Sequence, residues 1–135
     1  MDIQQLTSEI KNYSEYDFEN ATDDTSGYRI SATMRKIRKL DRSIGDSLKC
    51  LYDFRCQITG EAIGNEYGLP VVEAHHIDYF THSMNNDSSN IIIISPNFHR
   101  IIHKNNPEFN RKTLTFDFPN GYKQKIKLDM HLKIS

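Results

Sequence analysis

Histidines are concentrated in one part of this sequence. Five of the six lie in a single short stretch, and they are His75, His76, His82, His99 and His103. If His99 and His103 lie on a helix, their i and i+4 spacing places both imidazoles on one face, where they can bind one metal ion. A third imidazole, from His75, would complete a set of three protein ligands and leave a coordination position for water or substrate.

The adjacent histidines His75 and His76 are not expected to share one role. Successive residues of a strand point to opposite faces, so one can bind metal while the other does not. Imidazole titrates near neutral pH, which suits His76 to take a proton from water as a general base. Such a base needs an orienting partner, and the side-chain amide of Asn90 could hold its far nitrogen. These residue types therefore predict metal-assisted hydrolysis.

Local patterns predict the elements that position these side chains. Residues 70–77 contain a strand-forming Val-Val pair, and residues 91–95 form a run of isoleucines typical of a strand. The Ser-Pro pair that follows favours a helix start, so we expect a short helix over residues 96–104. The predicted order is strand, polar loop (residues 78–90), strand and helix.

A longer helix is predicted before this unit. Apolar residues recur at steps of three and four over residues 31–54, which indicates an amphipathic helix. Its bases lie mostly off the apolar stripe, and Arg35, Arg38 and Arg42 are candidates for contacting nucleic-acid phosphates. The alternative is a basic face that is simply solvated.

Beyond the histidine-rich stretch, the chain predicts a structural β-hairpin. Asn120-Gly121 lies between two alternating runs, residues 112–118 and 122–128, and this is a strong hairpin signal. His131, in the tail that follows, is expected to be an ordinary surface histidine.

Length and composition set broad limits. The 135 residues, of which 37% are hydrophobic, suit one domain over residues 28–135, preceded by an acidic, poorly ordered or accessory segment at 1–27. The net charge of −1 hides a basic excess over residues 26–56. There is no apolar run long enough for a membrane span and no signal-peptide pattern, so we expect a cytoplasmic protein that does not enter membranes.

The motif residues resemble one known family in order and spacing. They are Glu73, His75, His76, Asn90, His99 and His103. This set is similar to that of the HNH endonucleases, or ββα-metal nucleases, especially the colicin-type DNases and the HNH domains of restriction-type enzymes. The resemblance covers roughly residues 48–104. It implies an α+β fold with a ββα-metal core at 70–104, a preceding basic amphipathic helix and a C-terminal β-hairpin.

The resemblance also implies roles. His75, His99 and His103 would bind one divalent ion (Mg, Mn, Ni or Zn). His76 would be the general base and Asn90 its orienting partner. Glu73 would help to hold an arginine that contacts phosphate, and Arg100 is a further candidate for phosphate binding. The implied activity is hydrolysis of double-stranded DNA, of restriction or defence type, with a possible homodimer.

The sequence departs from the family at its cysteines. Many HNH domains bind a structural zinc ion through two C-x-x-C pairs, whereas here only Cys56 of those four positions is cysteine. We therefore expect no structural zinc, with packing by Ile58 and Phe98 in its place and Cys56 as a small buried residue. A disulfide between Cys50 and Cys56 is not favoured.

Three alternatives remain open. One is a purely structural histidine metal site in a DNA-binding module. Another is a non-cleaving HNH-like domain that binds a partner. The third is a toxin-like nuclease with an immunity partner, which nothing in the sequence identifies.

Overall fold

The structure, a computed structural model, describes residues 43–133. Its helices and strands are α1 (43–51), β1 (Glu73–His76), α2 (Phe80–Ser83), β2 (Ile91–Ile94), α3 (Pro96–Asn105), β3 (Glu108–Asn110), β4 (Thr115–Asp117) and β5 (Lys123–Lys125). The predicted α+β class is therefore confirmed. The acidic segment at 1–27, the first part of the predicted helix and its candidates Arg35, Arg38 and Arg42 lie outside the described residues.

Strand β2 is the centre of the domain. It pairs with β1 in antiparallel register, with His75 opposite Ile92 and His76 opposite Ile91. All four isoleucines of β2 are at most 1% exposed, and they alternate between two hydrophobic clusters. One cluster includes Ile102 of α3, and the other includes Leu48 of α1. A continuous β-branched run suits a strand that is covered on both faces.

Helix α1 packs closely against β1 at Gly45. A Cβ atom added to this buried glycine would lie 3.3 Å from the Cβ atom of Ala74. Glycine has a low helix propensity, but here its missing side chain allows the helix and the strand to approach each other.

The outer edge of β2 is paired by one buried residue, Gln57. The Gln57 backbone nitrogen donates to the Ile93 carbonyl at 2.8 Å, and the Ile93 nitrogen donates to Gln57 Oε1 at 2.8 Å. Gln57 Nε2 then donates to the Tyr52 hydroxyl and to the Leu128 carbonyl, both at 3.1 Å. This glutamine therefore joins α1, β2 and the C-terminal segment.

The prediction that His131 is an ordinary surface histidine is wrong. The Tyr52 hydroxyl accepts hydrogen bonds from Gln57 and from the Met130 nitrogen, so it donates its own proton to His131 Nδ1. His131 Nε2 donates to the Ile91 carbonyl at 2.7 Å. Burial raises the pKa of the Tyr52 phenol, which keeps this hydroxyl protonated and able to donate. His131 thus fastens the tail to the start of β2.

The predicted hairpin is confirmed, because β4 and β5 pair antiparallel on either side of the Asn-Gly turn. Its Phe116 is buried in the cluster that includes Ile102. Strand β3, which the sequence did not predict, pairs with β4 and completes a three-stranded sheet.

Cys56 is fully buried in the same cluster as Ile58, and Phe98 packs against that cluster, as predicted. Cys50 and Cys56 are free thiols. Among residues 43–133, no helix has the length and apolar character that crossing a membrane requires.

Candidate metal centre

Strand β1 and helix α3 bring three histidines together. The nitrogen atoms that His75, His99 and His103 can offer to a metal ion all lie within 4.8 Å of one another. Their ring centroids are 4.8 to 5.3 Å apart. Two nitrogens on one tetrahedral zinc ion lie about 3.4 Å apart, so the nitrogens would have to approach one another by up to about 1.4 Å to share an ion. The set fits a transition metal with an open coordination position.

The ends of α3 are defined by local sequence. Ser95 caps the start by accepting a hydrogen bond from the Phe98 nitrogen, and Pro96 occupies the first turn, as predicted. Asn106 ends the helix in the left-handed region at φ 47°, which asparagine tolerates better than most residues. These ends define one ten-residue helix, on which His99 and His103 share the face toward β1.

Glu73 acts directly on one of the three histidines. Its Oε1 lies 2.7 Å from His99 Nδ1. Glu73 is two residues before His75 on β1, so the two side chains share one face of that strand. A carboxylate in this position fixes the ring and makes the other nitrogen a better metal ligand. The resemblance had assigned Glu73 to an arginine instead, and the contact with His99 had no signal in the sequence.

Replacing Glu73 with glutamine is expected to lower the affinity for zinc by about 10- to 100-fold, because the ring stays bonded but loses its negative partner. Competition with a chelating indicator measures this affinity. The matched control is Glu108→Gln on β3, where the side chain is exposed. Equal zinc affinity of the wild type and Glu73→Gln would show that Glu73 does not contribute to metal binding.

Tyr79 borders the three-histidine cluster. Its ring centroid lies 5.1 Å from that of His103 and 6.0 Å from that of His75. Its hydroxyl donates to Asn106 Oδ1 at 2.6 Å, which ties the loop after β1 to the end of α3.

His76 lies apart from the three-histidine cluster. It is 6% exposed, and its ring packs 5.3 Å from that of Phe80 in α2, an element within the stretch that was predicted to be a polar loop. Its Nε2 lies 3.1 Å from Asn86 Oδ1. If Nε2 carries the imidazole proton and donates it in this hydrogen bond, Nδ1 is the ring nitrogen that can accept a proton. The sequence did not single out Asn86, because its loop contains several asparagines.

Asn90 closes the loop that carries Asn86. Its Oδ1 accepts from the Asp78 nitrogen at 2.8 Å, and its Nδ2 donates to the Asp78 and Asn85 carbonyls at 2.9 and 2.8 Å. Asn90 is 1% exposed. These hydrogen bonds position the loop, and the direct orienting of His76 by the Asn90 amide stays a prediction.

Arg111, which sequence reasoning missed, reaches this loop from the turn after β3. Its guanidinium donates to the Ser89 carbonyl at 2.9 Å, to Asn90 Oδ1 at 3.2 Å and to Asp78 Oδ2 at 3.3 Å. Arg100, the predicted phosphate contact on α3, is exposed. Such contacts between distant residues leave no local pattern in the sequence.

Comparisons with protein-family models, curated proteins and solved structures find no match to this chain. The interpretation of the site therefore depends on its geometry and on the motif that the sequence carries.

Proposed function

We propose that this protein is a divalent-metal-dependent DNA endonuclease of the HNH, or ββα-metal, type. The observation that carries the proposal is the arrangement of His75, His99 and His103 within 4.8 Å of one another, on an antiparallel strand and the helix that follows its partner. The contact of Glu73 with His99 supports it, because metal-binding histidines commonly bond a carboxylate through their other nitrogen.

The residues fit a divalent ion. His75, His99 and His103 would hold it through imidazole nitrogens, which suit zinc or nickel better than magnesium or manganese. Such an ion, when bound, stabilises negative charge on the phosphate and on the leaving oxygen.

The protein's own residues handle the proton. His76 accepts a proton from water as the water oxygen bonds to phosphorus and the bond to the 3′ oxygen breaks, and the leaving oxygen takes a proton from solvent. The products carry 5′ phosphate and 3′ hydroxyl ends. Asn86 holds His76 through Nε2, while Asn90 and Arg111 hold the loop that presents Asn86.

Double-stranded DNA is the proposed substrate, in a restriction or defence role within the cytoplasm. The exposed Arg100 would contact phosphate, and Arg35, Arg38 and Arg42, which lie outside the described residues, are further candidates for phosphate contacts. Two active sites are needed to cut both strands in one event, which is the reason to propose a homodimer.

The direct test is cleavage of supercoiled plasmid with magnesium, manganese, nickel or zinc, each with and without EDTA. We expect nicked and linear DNA with at least one transition metal and none after chelation. Intact plasmid under every condition would reject the proposal.

One observation favours a second candidate, a structural metal site in a non-cleaving module. His75 and His99 are at most 1% exposed, and a structural site is also closed to solvent. Metal would then raise the stability of the fold without any cleavage.

A further inference from the structure

An open cleft of about 400 Å³ lies beside the three-histidine cluster. It is formed by the residues that follow β1, by α2 and by the end of α3. Tyr79 lines the cleft, and its ring centroid also lies 5.1 Å from that of His103 and 6.0 Å from that of His75. A molecule bound in the cleft would therefore contact a side chain that also borders the candidate metal centre.

The lining has the chemistry of a base-binding site and not of a phosphate site. Tyr79 and His82 present aromatic rings with centroids 6.2 Å apart, and Ile77 and Pro107 add apolar surface. No lysine or arginine lines the cleft. The charged lining group is the carboxylate of Asp78, which disfavours an anion.

The polar groups can accept and donate hydrogen bonds at the edge of a base. Asp78 accepts only, and Arg111 bonds one of its oxygens at 3.3 Å. The Asn106 amide accepts from the Tyr79 hydroxyl through Oδ1 and carries two further donors on Nδ2. A carboxylate beside an amide matches a base that has an exocyclic amino group.

We propose that this cleft is a nucleobase subsite, which receives an unstacked base next to the phosphate that is cut. It prefers adenine, cytosine or guanine over thymine, because thymine lacks the amino group that Asp78 would accept. The inference rests on the proposed nuclease function. It adds a consequence, which is that cleavage is faster where a base next to the scissile phosphate is unpaired and free to leave the stack.

The test measures binding without cleavage. The full chain is titrated with deoxyadenosine, deoxycytidine, thymidine and deoxyribose, all without phosphate, while amide chemical shifts are recorded. We expect shifts at Ser83 and Asn106 with deoxyadenosine and deoxycytidine, and at least about fivefold weaker binding of thymidine and deoxyribose. Absence of shifts at the cleft with every nucleoside would overturn the proposal.

Two variants locate the binding. His82→Ala removes an exposed ring, and Asn106→Gly removes the amide while keeping a residue that tolerates positive φ. Each is expected to weaken deoxyadenosine binding at least about fivefold. Asn105→Gly, one residue earlier and outside the cleft, is the control and should bind like the wild type. Wild-type affinity in both cleft variants would also overturn the proposal.

The outcomes separate this inference from the nuclease function. Plasmid cleavage without nucleoside binding would reject the nucleobase subsite and leave the proposed nuclease function in place. Nucleoside binding without plasmid cleavage with any of the metals would reject the nuclease function and support a cleft that binds bases.

Discussion

Replacing His76 with alanine is expected to lower the rate of plasmid cleavage by about 100- to 10,000-fold, the usual contribution of a positioned general base. Its affinity for metal should stay close to that of the wild type, because His76 belongs to the face of β1 opposite the three ligands. Cleavage is measured under single-turnover conditions at saturating metal, and metal affinity by competition with a chelating indicator.

Comparison with two other changes makes this result specific. His99→Ala removes a proposed ligand and should abolish both metal binding and cleavage. Asn86→Ala should slow cleavage less than His76→Ala, since it removes only the partner of the base. The matched control is Asn105→Ala, whose side chain bonds only its own helix and is exposed.

The pair of measurements also decides between the two candidate functions. If His76→Ala loses metal binding together with the fold, the histidines form a structural site. If it cleaves DNA at the wild-type rate, His76 is not the base and the proposed mechanism is wrong.

Replacing Gln57 with leucine is expected to reduce the free energy of unfolding by about 2–4 kcal/mol, although leucine is similar in size. The Ile93 nitrogen, fully buried in β2, would lose its acceptor, and an unsatisfied buried donor costs about 1–3 kcal/mol. The contacts of Gln57 Nε2 with Tyr52 and Leu128 would be lost as well.

Urea unfolding followed by far-UV circular dichroism measures this change, with metal removed by EDTA so that binding does not alter the apparent stability. The matched control is Gln124→Leu on β5, where the side-chain amide donates only to the neighbouring Lys125 carbonyl and the expected change is below about 0.5 kcal/mol. A loss of less than about 0.5 kcal/mol for Gln57→Leu would show that this pairing does not support β2.

Elements with a strong local pattern could be predicted from the sequence. The isoleucine run of β2, the Ser95-Pro96 start of α3 and the Asn-Gly hairpin each depend on residues that are adjacent in the chain. Strand β3 was missed because Glu108–Asn110 is three residues long, too short for its alternation to be a signal, and it forms a strand by pairing with β4.

The histidine cluster was predictable for a related reason, since His99 and His103 lie on one helix and His75 on a neighbouring strand. The distant hydrogen-bond partners of the site residues could not be predicted. Glu73 meets His99 26 positions away, and Arg111 reaches Asn90 over 21 positions. Such polar contacts depend on the folded path of the chain, which periodicity does not encode.

The hydrogen bonds at the outer edge of β2 also bear on whether the proposed catalytic unit could be transferred to another protein. A fragment spanning residues 70–104 would contain every proposed ligand and the base. It would still lack Gln57, which pairs with Ile93, and His131, which bonds the Ile91 carbonyl. Residues 70–104 are therefore not expected to be stable when transferred alone. A graft into another scaffold must supply new hydrogen-bond partners for the outer edge of β2.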